Sequence, residues 1–187
     1  MSQLVRGLCW GLLVVASQSM LSHGLLGQAM FCQADEPETK STKSLAELNA
    51  YWAEVSRSVG EGDFEGYTAT CHTEGVLVSG VKQTSYPLTQ ALQRWKSGFD
   101  ATRAKRMKAS VQFRFSQRLH DDTTAHETGI FRYTSTGEGD EEVVQYVNFE
   151  GLLRKTATGW KIVMEYQKSM ASEEDWNALS EPDSASE

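Results

Sequence analysis

A carboxyl group among aromatic residues is the first place to look for chemistry in this sequence. Glu127 stands in the run Thr124 to Thr136, which follows the turn Asp121-Asp122-Thr123. The preceding run alternates Met107, Ala109, Val111, Phe113, Phe115 and Leu119 with Lys108, Ser110, Gln112, Arg114, Ser116 and Arg118, the period of a half-buried strand. A three-residue loop sets Val111 opposite Tyr133, Phe113 opposite Phe131, Phe115 opposite Gly129 and Gln117 opposite Glu127. Glu127 then shares a face with Phe131 and Tyr133. Held inside, it could act as a general acid, a base or a ligand anchor; at a wet strand end it is half of a surface Gln/Glu pair. A slip of one residue would turn His126 inward instead.

Other reactive side chains are less well arranged. Cys71 and His72 are sequence neighbours, which do not aim their side chains at each other, so they read as a buried helix-end cysteine beside an exposed histidine. His120, Asp121, Asp122 and His126 flank a turn without an established ligand spacing, and no metal is assigned to them. The chain has no phosphate loop, nucleotide fingerprint, serine elbow or HExxH, so no cofactor is expected. Inward-facing aromatic or soft residues are plentiful: Tyr51, Trp95, Phe113, Phe131, Tyr133, Phe149, Met164 and Tyr166 are the candidate lining of an apolar pocket, while Trp52 on a helix stripe is core first.

The elements that must position these residues end in a hairpin, Val143 to Ser169, turning at Thr156-Ala157-Thr158-Gly159. With Lys155 opposite Trp160, a regular register gives apolar pairs Leu153/Ile162, Gly151/Met164 and Phe149/Tyr166, and polar pairs Arg154/Lys161, Glu150/Glu165 and Asn148/Gln167. Upstream, Leu45, Leu48, Trp52, Val55 and Val59 make one helical stripe, with Ser44 and Glu47 as a capping box and Gly60 and Gly62 as the stop. Asp63 caps a second short helix through Tyr67 to Cys71. A short strand, residues 75–80, a loop from Val81 to Pro87, and a third helix from Leu88 to Arg103 follow. Helices first and an antiparallel meander after them predict one α+β domain, helices packed on a curved sheet.

Residues 1–34 read as a secretory signal peptide: Arg6, the apolar run from Leu8 to Ala16, and small residues at Ala29 or Ala34 for cleavage. The expectation is an exported protein, periplasmic or extracellular, with no transmembrane anchor once the leader is cut. Losing the leader removes Arg6 and no acid, so the formal charge passes from −7 to −8. That acidity argues against nucleic acid as a general partner. Cys71 becomes the sole thiol when cleavage follows Ala34, so the domain holds together without a disulfide. Residues 35–44 read as a flexible linker, and 170–187 as an acidic, mostly disordered tail in which Trp176 and Leu179 could dock a final turn. Basic residues concentrate between Arg94 and Arg118, as an anion patch or as a helix C-terminus followed by a strand's wet face.

The run GDFEGYTATCHTEGVLVSG after the first helix, together with the closing TGWKIVMEYQKS, resembles the nuclear-transport-factor-2-like superfamily, in particular its secreted SnoaL-like and ketosteroid-isomerase-like branch. The resemblance spans residues 45–169. It implies a cone-shaped domain with a pocket between helices and concave sheet, commonly a homodimer. In the isomerase members a carboxylate base falls at Ser79, a hydrogen-bonding tyrosine at Val55, and a protonated acid near Phe149 to Gly151, where Glu150 points to the wet face. Relatives often carry histidines where this chain has Met164 and Tyr166. Ketosteroid-type isomerisation is therefore not expected. The expected function is binding of a small apolar or aromatic molecule, whether or not a reaction follows. The alternatives are a non-catalytic homodimerising module and a cofactor-independent isomerase, cyclase or dehydratase.

Overall fold

The computed structural model describes residues 36–179, with side chains from residue 41. The expected leader and the last eight residues of the acidic tail lie outside the described residues. The elements run α1 (Glu36–Glu61), α2 (Phe64–Thr70), β1 (Cys71–Ser79), β2 (Thr84–Pro87), α3 (Leu88–Arg103), β3 (Met107–His120), β4 (Thr124–Gly137), β5 (Val143–Thr156), β6 (Gly159–Met170) and α4 (Glu173–Ala178).

Helix α1 buries Leu48, Tyr51, Trp52 and Val55, the stripe its spacing predicts with Tyr51 added. It starts earlier than expected, so the segment read as a linker is helical from Glu36. Ser44 is consequently an interior helix residue. It is buried, and its hydroxyl donates to Asp122 Oδ1 at 3.3 Å rather than capping a helix. Glu47 reaches across to the sheet, accepting from Trp160 Nε1 at 3.1 Å and pairing with Lys155. The stop falls at Gly62, which adopts φ +69°; a Cβ there would lie 2.4 Å from Arg103 N, so glycine is required by both torsion and space. Asp63 then caps α2, accepting from Gly66 N at 2.9 Å.

The six strands form one sheet in the order β2-β1-β6-β5-β4-β3. Strands β3 to β6 are the expected meander. β1 joins it by a parallel pairing with β6, and begins at Cys71 rather than at Gly75. The loop expected from Val81 contains the edge strand β2. This is an α+β cone: α1, α2 and α3 pack on the concave inner face, and Leu48, Trp52, Leu77, Leu88, Phe149 and Leu153 are central in the core between them.

Two registers depart from regularity. Between β3 and β4, Val111/Tyr133, Phe113/Phe131 and Phe115/Gly129 pair as the alternation predicts, but a bulge at Ser116 follows, so Glu127 faces Arg118 and not Gln117. Between β5 and β6, Lys155/Trp160, Arg154/Lys161 and Leu153/Ile162 hold. A bulge at Val163 then sets Met164 opposite Leu152, Glu165 opposite Gly151, Tyr166 opposite Glu150 and Gln167 opposite Phe149. The side chains from Met164 to Gln167 therefore change face relative to the regular register, until a second irregularity at Lys168 sets Ser169 opposite Asn148.

The chain after Ser169 is ordered as far as it is described. Helix α4 opens on a capping box formed by Ser172 and Asp175, and it buries Trp176. The indole lies 6.0 Å from the Tyr146 ring and 4.4 Å from the Arg114 guanidinium, on the outer face of the sheet. Arg114 Nη1 donates to Trp176 O at 3.0 Å and Leu179 O at 3.2 Å. The tail thus covers part of the outer sheet face at Tyr146 and Arg114.

Candidate ligand cavity

Between the helices and the inner sheet face lies a cavity of about 490 Å3, walled chiefly by Trp52, Trp95, Phe113, Phe131, Tyr133 and Phe149. Its size falls within the roughly 300–1,000 Å3 of small-molecule sites. The rings support one another: Trp52 is 4.4 Å from Phe113, and Phe149 is 5.6 Å from Phe113 and 5.8 Å from Phe131. Tyr67 packs against Trp95 at 6.0 Å and Phe99 at 5.1 Å. Of the eight residues proposed from sequence as a lining, Tyr51, Trp95, Phe113, Phe131, Tyr133 and Phe149 face this space. Met164 and Tyr166 do not. The bulge at Val163 turns both to the outer face, beside Leu152 and Glu150.

The same bulge brings Glu165 and Gln167 inward, and these were missed. Glu165 is half-buried because the open part of its side chain looks into the cavity and not into bulk solvent. Gln167 Nε2 donates to Glu165 Oε1 at 2.7 Å. Removal from water pushes the Glu165 carboxyl above its usual range, and the Gln167 bond only partly opposes this. A signal was available: the regular register set Glu150 against Glu165, and like charges directly opposite destabilise a sheet. In the structure Glu150 instead receives Lys168 Nζ at 2.7 Å and lies 3.3 Å from His126 Nε2.

Around Glu165 the cavity carries two phenols and a thiol. Tyr51 donates to Thr70 O at 3.3 Å, and burial raises its hydroxyl well above the usual range, as it does for Tyr67. Cys71 Sγ donates to Tyr67 O at 3.6 Å, and burial pushes the thiol up to about 12. These three groups therefore stay neutral near neutral pH. His72 points elsewhere, its Nδ1 accepting from Glu74 N at 3.2 Å, so Cys71 and His72 are not a nucleophile–base pair.

Glu127, the carboxyl singled out from sequence, is fully buried but lies outside the cavity wall. Arg118 Nε donates to its Oε1 at 2.5 Å, and Trp52 Nε1 donates to its Oε2. Arg118 also donates to Asn49 Oδ1 at 2.5 Å and stacks over Phe115 at 4.3 Å. Both oxygens of Glu127 are thus engaged, Oε1 by Arg118 and Oε2 by the Trp52 indole that it holds against the sheet. Gly151 lies between Glu127 and Glu165 in the strand register, and the Trp52 ring occupies the space above it.

The remaining candidates serve structure. Ser79 is buried and its hydroxyl accepts from Lys82 N at 3.1 Å; Val55 lends the cavity only an isopropyl group. The tyrosine and carboxylate that isomerase members of the resembled family would place there are absent. Asp121 closes its turn, accepting from Thr123 N at 2.6 Å and Thr124 N at 2.7 Å, which holds its carboxyl at about 2. Among the described residues no three His, Cys, Asp or Glu side chains come together as a metal site. The basic stretch disperses: Lys96 pairs with Asp100, Arg103 with Glu65, and Arg94 lies over the Tyr86 ring at the cavity edge.

No family model matches the sequence, and no curated protein matches it either. Solved structures do match by shape. A nuclear transport factor 2-like superfamily protein from Salmonella enterica superposes with a TM-score of 0.53 at 12% identity, covering 78% of this chain and 96% of its own. A ketosteroid isomerase-like protein from Erwinia carotovora atroseptica gives 0.53 at 18%, covering 70% and 98%. A conserved protein from Planctomyces limnophilus gives 0.55 at 8%, covering 67% and 94%. The fold is therefore the nuclear-transport-factor-2-like cone, and at these identities the likeness speaks to fold alone.

Proposed function

We propose that this domain binds a small, largely apolar or aromatic molecule in the cavity between its helices and sheet, and that it does so as an exported protein after losing the leader at residues 1–34. The observation that carries the reading is the combination of an aromatic-walled space of about 490 Å3 with a small set of convergent polar groups. Glu165 and Gln167 supply those groups on one wall, and the Tyr51, Tyr67 and Cys71 side chains surround them. The rings provide dispersion contacts and exclude water, and the polar group fixes orientation.

Trp52 and Trp95 report on occupancy. Titration with naphthylmethanol should change tryptophan emission saturably. Ala109→Trp, which places an indole in the cavity from the β3 wall, should abolish that saturation while leaving the circular dichroism spectrum intact. Native mass spectrometry of protein purified from its own cells should show a mass that is released on denaturation. A wild-type protein that neither retains a small molecule nor responds to the probe would overturn the reading.

A further inference from the structure

We infer that the cavity selects organic cations: a protonated primary or secondary amine carrying an aromatic or apolar body, with its ammonium seated on Glu165. This rests on the ligand-binding reading above and names the class of ligand.

The electrostatics of the two inward carboxylates make the case. Glu127 has its counter-ion, Arg118, and a second donor in the Trp52 indole, so it presents no unmet charge. Glu165 faces the cavity, and among the described residues its one donor is Gln167 and no Lys, Arg or His side chain forms an ion pair with it. A carboxylate has about four lone-pair sites, so most of its accepting capacity is open toward the ligand space. An ammonium would supply both the charge and up to three N–H donors in a water-poor setting, where charge-assisted hydrogen bonds are strongest.

The surrounding walls point the same way. Phe113, Phe131, Tyr133, Phe149 and Trp95 offer ring faces, which attract cations through their quadrupoles. The other titratable groups near Glu165 are Tyr51 from α1, Tyr67 from α2 and Cys71 from β1, all held neutral, so none repels a cation or competes with it for the carboxylate. Arg94, the cation of the cavity lining, keeps its charge over the Tyr86 ring at 4.6 Å and forms no ion pair with Glu165. An anionic ligand would meet Glu165 with like charge. A neutral alcohol could donate one hydrogen bond and would leave the carboxylate without a counter-ion.

The test uses three probes of one shape, naphthylmethylamine, naphthylmethanol and naphthoate, titrated at neutral pH against the full mature domain. The amine should bind about tenfold tighter than the alcohol, and the naphthoate weakest. Glu165→Gln should bring amine and alcohol to near equality while keeping the alcohol's affinity, and Glu165→Asp should retain part of the preference. Should Glu165→Gln fail to fold by circular dichroism, the wild-type ranking decides alone. Alcohol binding as tight as the amine, or a preference that survives Glu165→Gln, overturns the cation assignment and leaves ligand binding standing. Binding of no probe overturns both.

Discussion

Two inward acids, Glu127 and Glu165, show how neighbours set the role of a carboxyl group. Because burial raises the Glu165 carboxyl in the folded state, its contribution to stability is fully present below the unfolded value of about 4.5 and is lost as pH rises through the folded value. Glu165→Gln removes that loss. The melting temperature of Glu165→Gln relative to wild type should therefore rise as pH increases from 4 toward neutrality; a difference independent of pH would mean that the carboxyl is solvated. Glu127 differs in having both carboxylate oxygens engaged by donors. Arg118→Ala would leave a fully buried carboxylate with only the indole donor, and should cost about 3–5 kcal/mol in urea unfolding. Glu127→Gln keeps an acceptor for Trp52 and should cost less, about 1–3 kcal/mol.

At the scale of elements, glycines test the bulges. A Cβ on Gly129 would sit 2.0 Å from Arg114 O and 2.9 Å from Phe115 Cα, so the β3 backbone would have to move. On Gly151 it would meet Trp52 Cζ2 at 3.4 Å, an ordinary contact. Gly129→Ala should cost about 1–3 kcal/mol, whereas Gly151→Ala should be neutral or stabilising by about 0.5 kcal/mol, since alanine loses less entropy on folding. Denaturant midpoints of the two variants decide this. The same elements show what the sequence makes legible. Period-two alternation from Met107 and the α1 stripe state which faces are buried, and pairings next to a tight turn follow from its length, as at Lys155/Trp160. A bulge carries no such periodic signature: Val163 and Ser116 are ordinary strand residues, and the one hint at Val163 is the like-charge pair Glu150/Glu165 that a regular register would create. The cavity's aromatic wall was therefore readable, and its polar residues were not. Helix α4 was legible only as a docked turn around Trp176, because one indole anchors it within an otherwise acidic segment.

At the scale of the molecule, the described residues hold one thiol, Cys71, and no disulfide, and the chain has a proposed export route. Cleavage after Ala29 or Ala34 should give a mature mass that excludes Arg6, read directly by intact-mass spectrometry of the exported protein. An uncut chain held at the membrane would refute the leader reading.

The parallel pairing of β1 with β6 sets when this protein can become itself. β1 is made early and β6 is the last strand of the sheet, and β6 lies between β1 and β5. Until residues 159–170 are available, β1 and β2 have no place in the sheet and Glu165 has no cavity wall to join. Such long-range closure is slow compared with hairpin formation. A chain interrupted before Gly159 would expose α1 and α3 without their complete platform. Synthesis must therefore run through Met170 before the native state can form, leaving the nascent chain unlocked until then.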